Sequence, residues 1–305
     1  MKTIIKQSSR KPAFTIVELL TVMSIIVILI GLLVPALNKA KKFARDVKQK
    51  TQLHAIDAAI ELFNSEHDGY PLSGAKDEAP PPTAWASRAD YCGAMKLAEA
   101  MVGQDLLGFH PDSAFRSDGT PDGVAAKLYQ PTTLNARKGP YLQLENANAY
   151  KMGDLYWEQG MTTGPYNADL FVLCDVYNLR VTNKSSGKKV GMPILYYKAN
   201  TANTEHDVAN PDNPNNIYNY LDNYELVALG MPGQKPPPAG PAHDLIDPSP
   251  KRFYLNTKND QIYDSARPTF ARPYRADSYI LISAGYDGEY GTADDICNFE
   301  WKYKP

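Results

Sequence analysis

The sequence predicts an α+β chain: one long N-terminal helix, apolar in its first half and amphipathic in its second, packed on an antiparallel sheet with large loop insertions. Three observations carry that expectation. Residues Ala13 to Leu37 form an unbroken apolar run holding a single charge, Glu18. Leu53, Ile56, Ile60 and Phe63, with Ala59 between them, then recur at helical spacing. Segments rich in aromatic and branched residues, bounded by turn signals, come only later in the chain.

The apolar run suits a membrane-crossing helix of about 20 residues and exceeds the roughly 7–15 apolar residues of an ordinary secretory signal. The segment before it carries Lys2, Lys6, Arg10 and Lys11 and no acid, which predicts a cytoplasmic N-terminus and an extracytoplasmic C-terminus. A conventional signal peptide cleaved after Ala36 is the alternative, since Val34 and Ala36 are small. A carboxylate at the depth of Glu18 costs about 2.5–3.5 kcal/mol on insertion scales, so it calls for a partner and a role. Snorkelling of Glu18 to the cytoplasmic face is the structural alternative.

A basic leader, a small residue and then Phe14-Thr15-Ile16-Val17-Glu18-Leu19-Leu20 resemble the signal of type IV prepilins and type II secretion pseudopilins. The resemblance implies cleavage by a prepilin peptidase between Ala13 and Phe14, and N-methylation of Phe14. It gives Glu18, fifth in the mature chain, the role of pairing with the terminal amine of a neighbouring subunit during filament assembly. Pro35 falls where many such proteins carry a helix-loosening proline. The family usually has Gly before the cut, where this chain has Ala13. A low-dielectric filament core would strengthen the attraction between Glu18 and an amine.

Past Pro35 the charged Lys39, Lys41, Lys42, Arg45, Asp46 and Lys48 cover the juxtamembrane stretch before the apolar stripe, and Asp68-Gly69 with Pro71 is the predicted stop. From Phe14 to His67 such a helix would be about 80 Å long at 1.5 Å per residue. The expected organisation is leader 1–13, transmembrane helix 14–37, amphipathic continuation 38–68 and extracytoplasmic head 69–305. Within the head, Ala89 to Gly103 predicts a short surface helix through Tyr91, Met95, Ala98 and Val102. The stretches Glu78 to Thr83 and Gly230 to Pro250 are Pro-rich loops or linkers. Leu170 to Val176, Ile194 to Lys198, Arg252 to Leu255 and Tyr279 to Ser283 are the strand candidates.

The segment Ser283 to Ile296 carries four carboxylates and three glycines directly after a predicted strand. Carboxylates and turn carbonyls suit a hard cation such as Ca²⁺, although the spacing is not that of an EF-hand. The segment also resembles the calcium loop of type II secretion major pseudopilins. That resemblance implies Asp287, Asp294 and Asp295 as side-chain ligands of Ca²⁺. A hairpin turn at Asp287-Gly288 and a capping box from Thr292 to Asp295 are the competing structural readings.

Charge is nearly balanced, 32 basic against 34 acidic residues, which gives no reason to expect nucleic-acid binding. Cys92, Cys174 and Cys297 allow one disulfide in an oxidising compartment, or three buried thiols acting as small hydrophobes. No HExxH, GxSxG, Walker or GxGxxG pattern occurs, and Asp175 and Asp222 have no partner identifiable by spacing. The expected protein is a non-enzymatic pseudopilus subunit of the bacterial inner membrane with a periplasmic head, assembling into a helical filament. Its implied partners are copies of itself, other pseudopilins, the prepilin peptidase and the inner-membrane assembly platform. A type IV or minor pilin with an elaborated adhesive head is the alternative, and a membrane-anchored enzyme a more distant one.

Overall fold

The computed structural model describes residues 15–78, 89–121, 125–157, 166–177, 181–182, 184–233, 243–246, 249–263 and 271–304. Ala13 and Phe14 lie outside the described residues, as do 79–83, 234–242 and 247–248 of the two Pro-rich stretches. The chain divides into two compact units, Met1–Ala44 and Arg45–Pro305.

Helix α1 runs Ile16–His67 and passes through Pro35 without a break. Pro35 has no N–H, so the Gly31 carbonyl loses its usual donor at i+4. Large apolar side chains from Ile16 to Leu37 are exposed, and this part of α1 is long and apolar enough to cross a membrane. The helix stops where Asp68 takes a left-handed backbone, φ 53°, just before Gly69.

Within the larger unit the predicted stripe is the buried face of α1: Leu53, Ile56, Ala59, Ile60 and Phe63 are all in the core. Each large apolar side chain there contributes about 1.5–3 kcal/mol by leaving water. Phe63 meets Phe109 edge-on at 5.0 Å and Tyr141 at 5.6 Å. Polar pegs fix the register of this half. Gln52 Nε2 donates to the Cys174 and Asn146 carbonyls, and Gln49 Oε1 accepts from the Val176 amide. Asp57 accepts from the Tyr279 hydroxyl at 2.8 Å and from Asn298 at 3.0 Å.

Among the described residues the other α-helices are α2 Gly93–Val102, α3 Leu144–Ala147, α4 Met152–Leu155, α5 Tyr224–Ala228 and α6 Lys251–Thr257, with short 3-10 helices at Pro131–Ala136 and Tyr220–Asn223. The strands are β1 Ala149–Lys151, β2 Phe171–Leu173, β3 Val181–Thr182, β4 Lys189–Val190, β5 Leu195–Lys198, β6 Lys258–Tyr263, β7 Ala271–Pro273, β8 Tyr279–Ser283 and β9 Ile296–Cys297. They form several small antiparallel sheets rather than one: β1-β2, β3-β4, β6-β7 and the three-stranded β5-β8-β9. All five residues of β8 are buried, as expected of the middle strand. The α+β class and three of the four predicted strands therefore stand.

Two expectations are corrected. Helix α2 is not on the surface: all ten of its residues are buried, and it lies against β2 and β5. Its two charges are buried because partners from outside the helix saturate them. Lys96 Nζ donates to the Gly74 and Lys76 carbonyls at 2.7 Å and also pairs with Glu78. Glu99 accepts from Ser113, Tyr129, Gln104 and Tyr91.

The second correction concerns Arg252 to Leu255, which lies inside helix α6 rather than in a strand. Phe253 and Tyr254 have strand propensity, but Pro250 opens a helix that buries both rings, and β6 begins only at Lys258. All three cysteines are free, with Cys92 and Cys174 buried and Cys297 half-buried.

Candidate functional site

Glu18 sits in the first turn of α1 and is held by its own chain. Its Oε2 accepts from the Thr15 backbone N–H at 2.9 Å and from the Thr15 hydroxyl at 2.8 Å, while the Glu18 N–H donates to Thr15 Oγ1 at 3.2 Å. This reciprocal arrangement is a capping box, and its signature T-x-x-E is legible in the sequence at Thr15 and Glu18. The box satisfies helix-end donors that hydrocarbon could not. It uses Oε2 and leaves Oε1 without a hydrogen bond among the described residues.

The acidic segment is the connection between β8 and β9, whose register pairs Ile282 with Cys297 and Ser283 with Ile296. Three glycines with positive φ, Gly285, Gly288 and Gly291, let it fold back on itself. At Gly285 a Cβ would lie 2.2 Å from the Asp294 carbonyl, so only glycine lets the two arms of the loop approach.

Asp287, Asp294 and Asp295 are brought together around one hydroxyl. Thr292 Oγ1 lies 3.0 Å from Asp287 Oδ2, 2.9 Å from Asp294 Oδ1 and 3.3 Å from Asp295 Oδ1, and its single proton serves one of them at a time. Asp294 Oδ2 accepts from the Tyr286 and Asp287 amides, and Asp287 Oδ1 from the Glu289 amide. Burial and the neighbouring Asp294 push Asp287 up to about 6. Burial opposes ionisation of Asp294 as well, but contacts to Asp287, Thr292 and the two amides hold it below the usual range. The pair therefore favours one shared proton at mildly acidic pH.

Asp295 plays a different part. It is buried, accepts from the Gly291 and Thr292 amides at 2.8 and 3.2 Å, and burial pushes its carboxyl well up. Its contact with the Thr292 amide is one half of the anticipated capping box, but β9 follows instead of a helix. The Asp287-Gly288 turn is present, with Gly288 at φ 79°. Among the described residues no group of three or more His, Cys, Asp or Glu side chains is arranged to hold a metal ion. The three carboxyl groups are hard oxygen donors, and the amides of Tyr286, Asp287, Glu289, Gly291 and Thr292 already occupy several of their oxygens.

The loop is tied to the rest of the head. Tyr286 packs edge-on to Tyr177 and lies under the Arg45 guanidinium, 6.0 Å from the ring centroid, while Tyr177 donates to Asp46 at 2.6 Å. Trp301 Nε1 donates to the Thr292 carbonyl at 2.7 Å.

Asp175 and Asp222, for which the sequence offers no partner by spacing, are both buried and partnered. Asp175 Oδ1 accepts from the Tyr177 and Met192 amides and Oδ2 from the Ser283 hydroxyl, while burial pushes the carboxyl up to about 8. Asp222 accepts from Ser73 at 2.5 Å and is pushed up by burial to about 7. Their partners are far away in sequence, so no local motif marks them.

No protein-family model matches this chain, and neither a curated protein nor a solved structure matches it. Fold and site together define a chain with an α+β unit, Arg45–Pro305, and a long N-terminal helix whose first half is apolar enough to span a membrane.

Proposed function

We propose that the chain is a structural, non-enzymatic subunit of a type II secretion pseudopilus with a pilin-like fold. It is inserted in the inner membrane with its head in the periplasm and assembled there into a helical filament. The observation that carries this reading is the form of α1: an exposed apolar half beginning beside one acid, continuous with an amphipathic half that is core to the head. Exposed apolar surface on that scale requires lipid or neighbouring helices. In this reading the peptidase cuts between Ala13 and Phe14, and the free amine of Phe14 in one subunit pairs with Glu18 of the next. The Oε1 atom left open by the capping box is the acceptor for that amine. Pro35 loosens the helix where subunits must repack.

Asp287, Asp294 and Asp295, with loop carbonyls, would hold Ca²⁺. The ion would supply the positive charge needed to offset carboxylates crowded into one turn. Asp287 and Asp294 would be its ionised ligands, in the connection that Tyr286 ties to Tyr177 and Thr292 to Trp301.

The test is assembly of Glu18 variants. Glu18→Gln keeps an acceptor for Thr15 and removes the charge, so it separates the cap from the pairing role. Both Glu18→Gln and Glu18→Val should remain in the membrane fraction but stay out of filaments. Filament yield equal to that of the native chain in Glu18→Gln would refute the pairing.

A further inference from the structure

A second feature of the head lies away from the acidic loop. A cavity of about 600 Å³ opens between the chain that follows α1, the end of β5 and the Asn-rich loop 200–217. Its size is that of a small-molecule site. Its walls are fixed before any ligand arrives. Asn203 Nδ2 donates to the Pro214 and Asn216 carbonyls, Asn216 Nδ2 to the Asn210 and Pro211 carbonyls, and Asn213 to Glu205. At one wall the Ser73 hydroxyl donates to Asp222 and accepts from the Lys198 amide.

The polar groups left over are of both kinds. Asn200 and Asn219 use their carbonyl oxygens on the Ala202 and Leu221 amides, which fixes their NH₂ groups as donors without a partner among the described residues. Lys198 and Asp222 also line the cavity and bring an ammonium and a carboxyl group to it. Burial leaves Asp222 poised near neutrality, able to donate or accept. Beside these groups Leu72, Ile217 and Leu221 supply apolar surface.

This lining selects among ligand classes. An anion would meet three carboxyl groups, Glu78, Asp212 and Asp222, against the Lys198 ammonium and the buried Lys96 that already pairs with Glu78. A cation would meet Lys198. A lipid would strand the amides and Asp222 without hydrogen bonds. A neutral molecule with many hydroxyls satisfies donors and acceptors together, because each hydroxyl does both, and its C–H face covers the apolar patch.

We propose that this cavity binds a neutral saccharide of one or two sugar units. Asp222 and the Asn200 and Asn219 amides hold its hydroxyls. The subunit's head thereby recognises glycan, whether free or on a partner surface.

The test uses the full chain in detergent micelles and saturation-transfer NMR with glucose, galactose, N-acetylglucosamine, maltose and cellobiose. At least one should bind with a Kd below about 10 mM, an affinity of roughly 3 kcal/mol. Thr201→Trp places bulk at the exposed rim, where Thr201 makes no hydrogen bond among the described residues, and should weaken that binding at least tenfold with an unchanged melting temperature. Lys198→Met, with the same melting control, should do the same. Absence of binding by all five sugars, or equal binding by Thr201→Trp, overturns the proposal. Tighter binding of glucose 6-phosphate or spermidine than of any neutral sugar also overturns it.

Discussion

Replacing Asp175 by Asn isolates the cost of a charge buried at the junction of β2 and β8. The carboxyl is fully buried, and its folded pKa of about 8 stands against an ordinary 3.8. Because the folded value is raised, the folded state binds more protons than the unfolded chain between those two values. Asp175 therefore stabilises the fold fully below about pH 3.8, and this contribution is lost as pH rises towards 8. At 1.36 kcal/mol per pH unit, the loss between pH 5 and pH 9 is roughly 4 kcal/mol. Asparagine keeps the contacts: its Oδ1 accepts from the Tyr177 and Met192 amides, and its NH₂ faces the Ser283 hydroxyl. Urea unfolding of the full chain in micelles should show the advantage of Asp175→Asn over the native chain growing by roughly 4 kcal/mol between pH 5 and pH 9. The comparison cancels Asp222, Asp287 and Asp295, which titrate alike in both proteins. Parallel pH profiles for the two proteins would refute the assignment of a neutral, buried Asp175.

Other perturbations test other levels of the structure. Phe63→Ala removes a ring packed on Phe109 and Tyr141 and should cost about 3–5 kcal/mol, whereas Leu62→Ala, on the exposed side of α1, should change stability by about 0.5 kcal/mol or less. Differential scanning fluorimetry of both variants decides whether the stripe faces the core. Calcium should raise the melting temperature at pH 7.5, and the rise should shrink below about pH 6 as Asp287 regains its proton. In Asp294→Ala the rise should vanish, and identical curves with calcium and with chelator would leave the loop as a hairpin turn alone.

Much of the fold was readable in the order of residues. Helix α1 announces itself through an apolar run, a period-3.6 stripe and the Asp68-Gly69 stop, all local signals. Strands β5 and β8 are dense in branched and aromatic residues and fall inside or on the predicted bounds. What was illegible depends on distant partners. Lys96 and Glu99 are buried because Gly74, Glu78, Ser113 and Tyr129 reach them from elsewhere in the chain. Asp175 and Asp222 likewise depend on Ser283 and Ser73, more than a hundred positions away. In α6 the aromatic pair Phe253-Tyr254 favoured a strand, and the burial that makes it a helix is tertiary. The Thr15–Glu18 capping box was legible in principle, but the charge of Glu18 directed attention to a partner outside the chain. In the acidic loop the sequence marked the three aspartates correctly as neighbours, yet only the geometry separates the hydroxyl-linked Asp287–Asp294 pair from the more deeply buried Asp295.

The central claim is that the chain matures as a filament subunit, and the N-terminus of the membrane-extracted protein tests it most directly. Mass spectrometry of the N-terminal peptide should find a mature chain beginning at N-methyl-Phe14, with residues 1–13 removed. An intact leader beginning at Met1, or a start at Leu37 after conventional signal cleavage, would contradict the account.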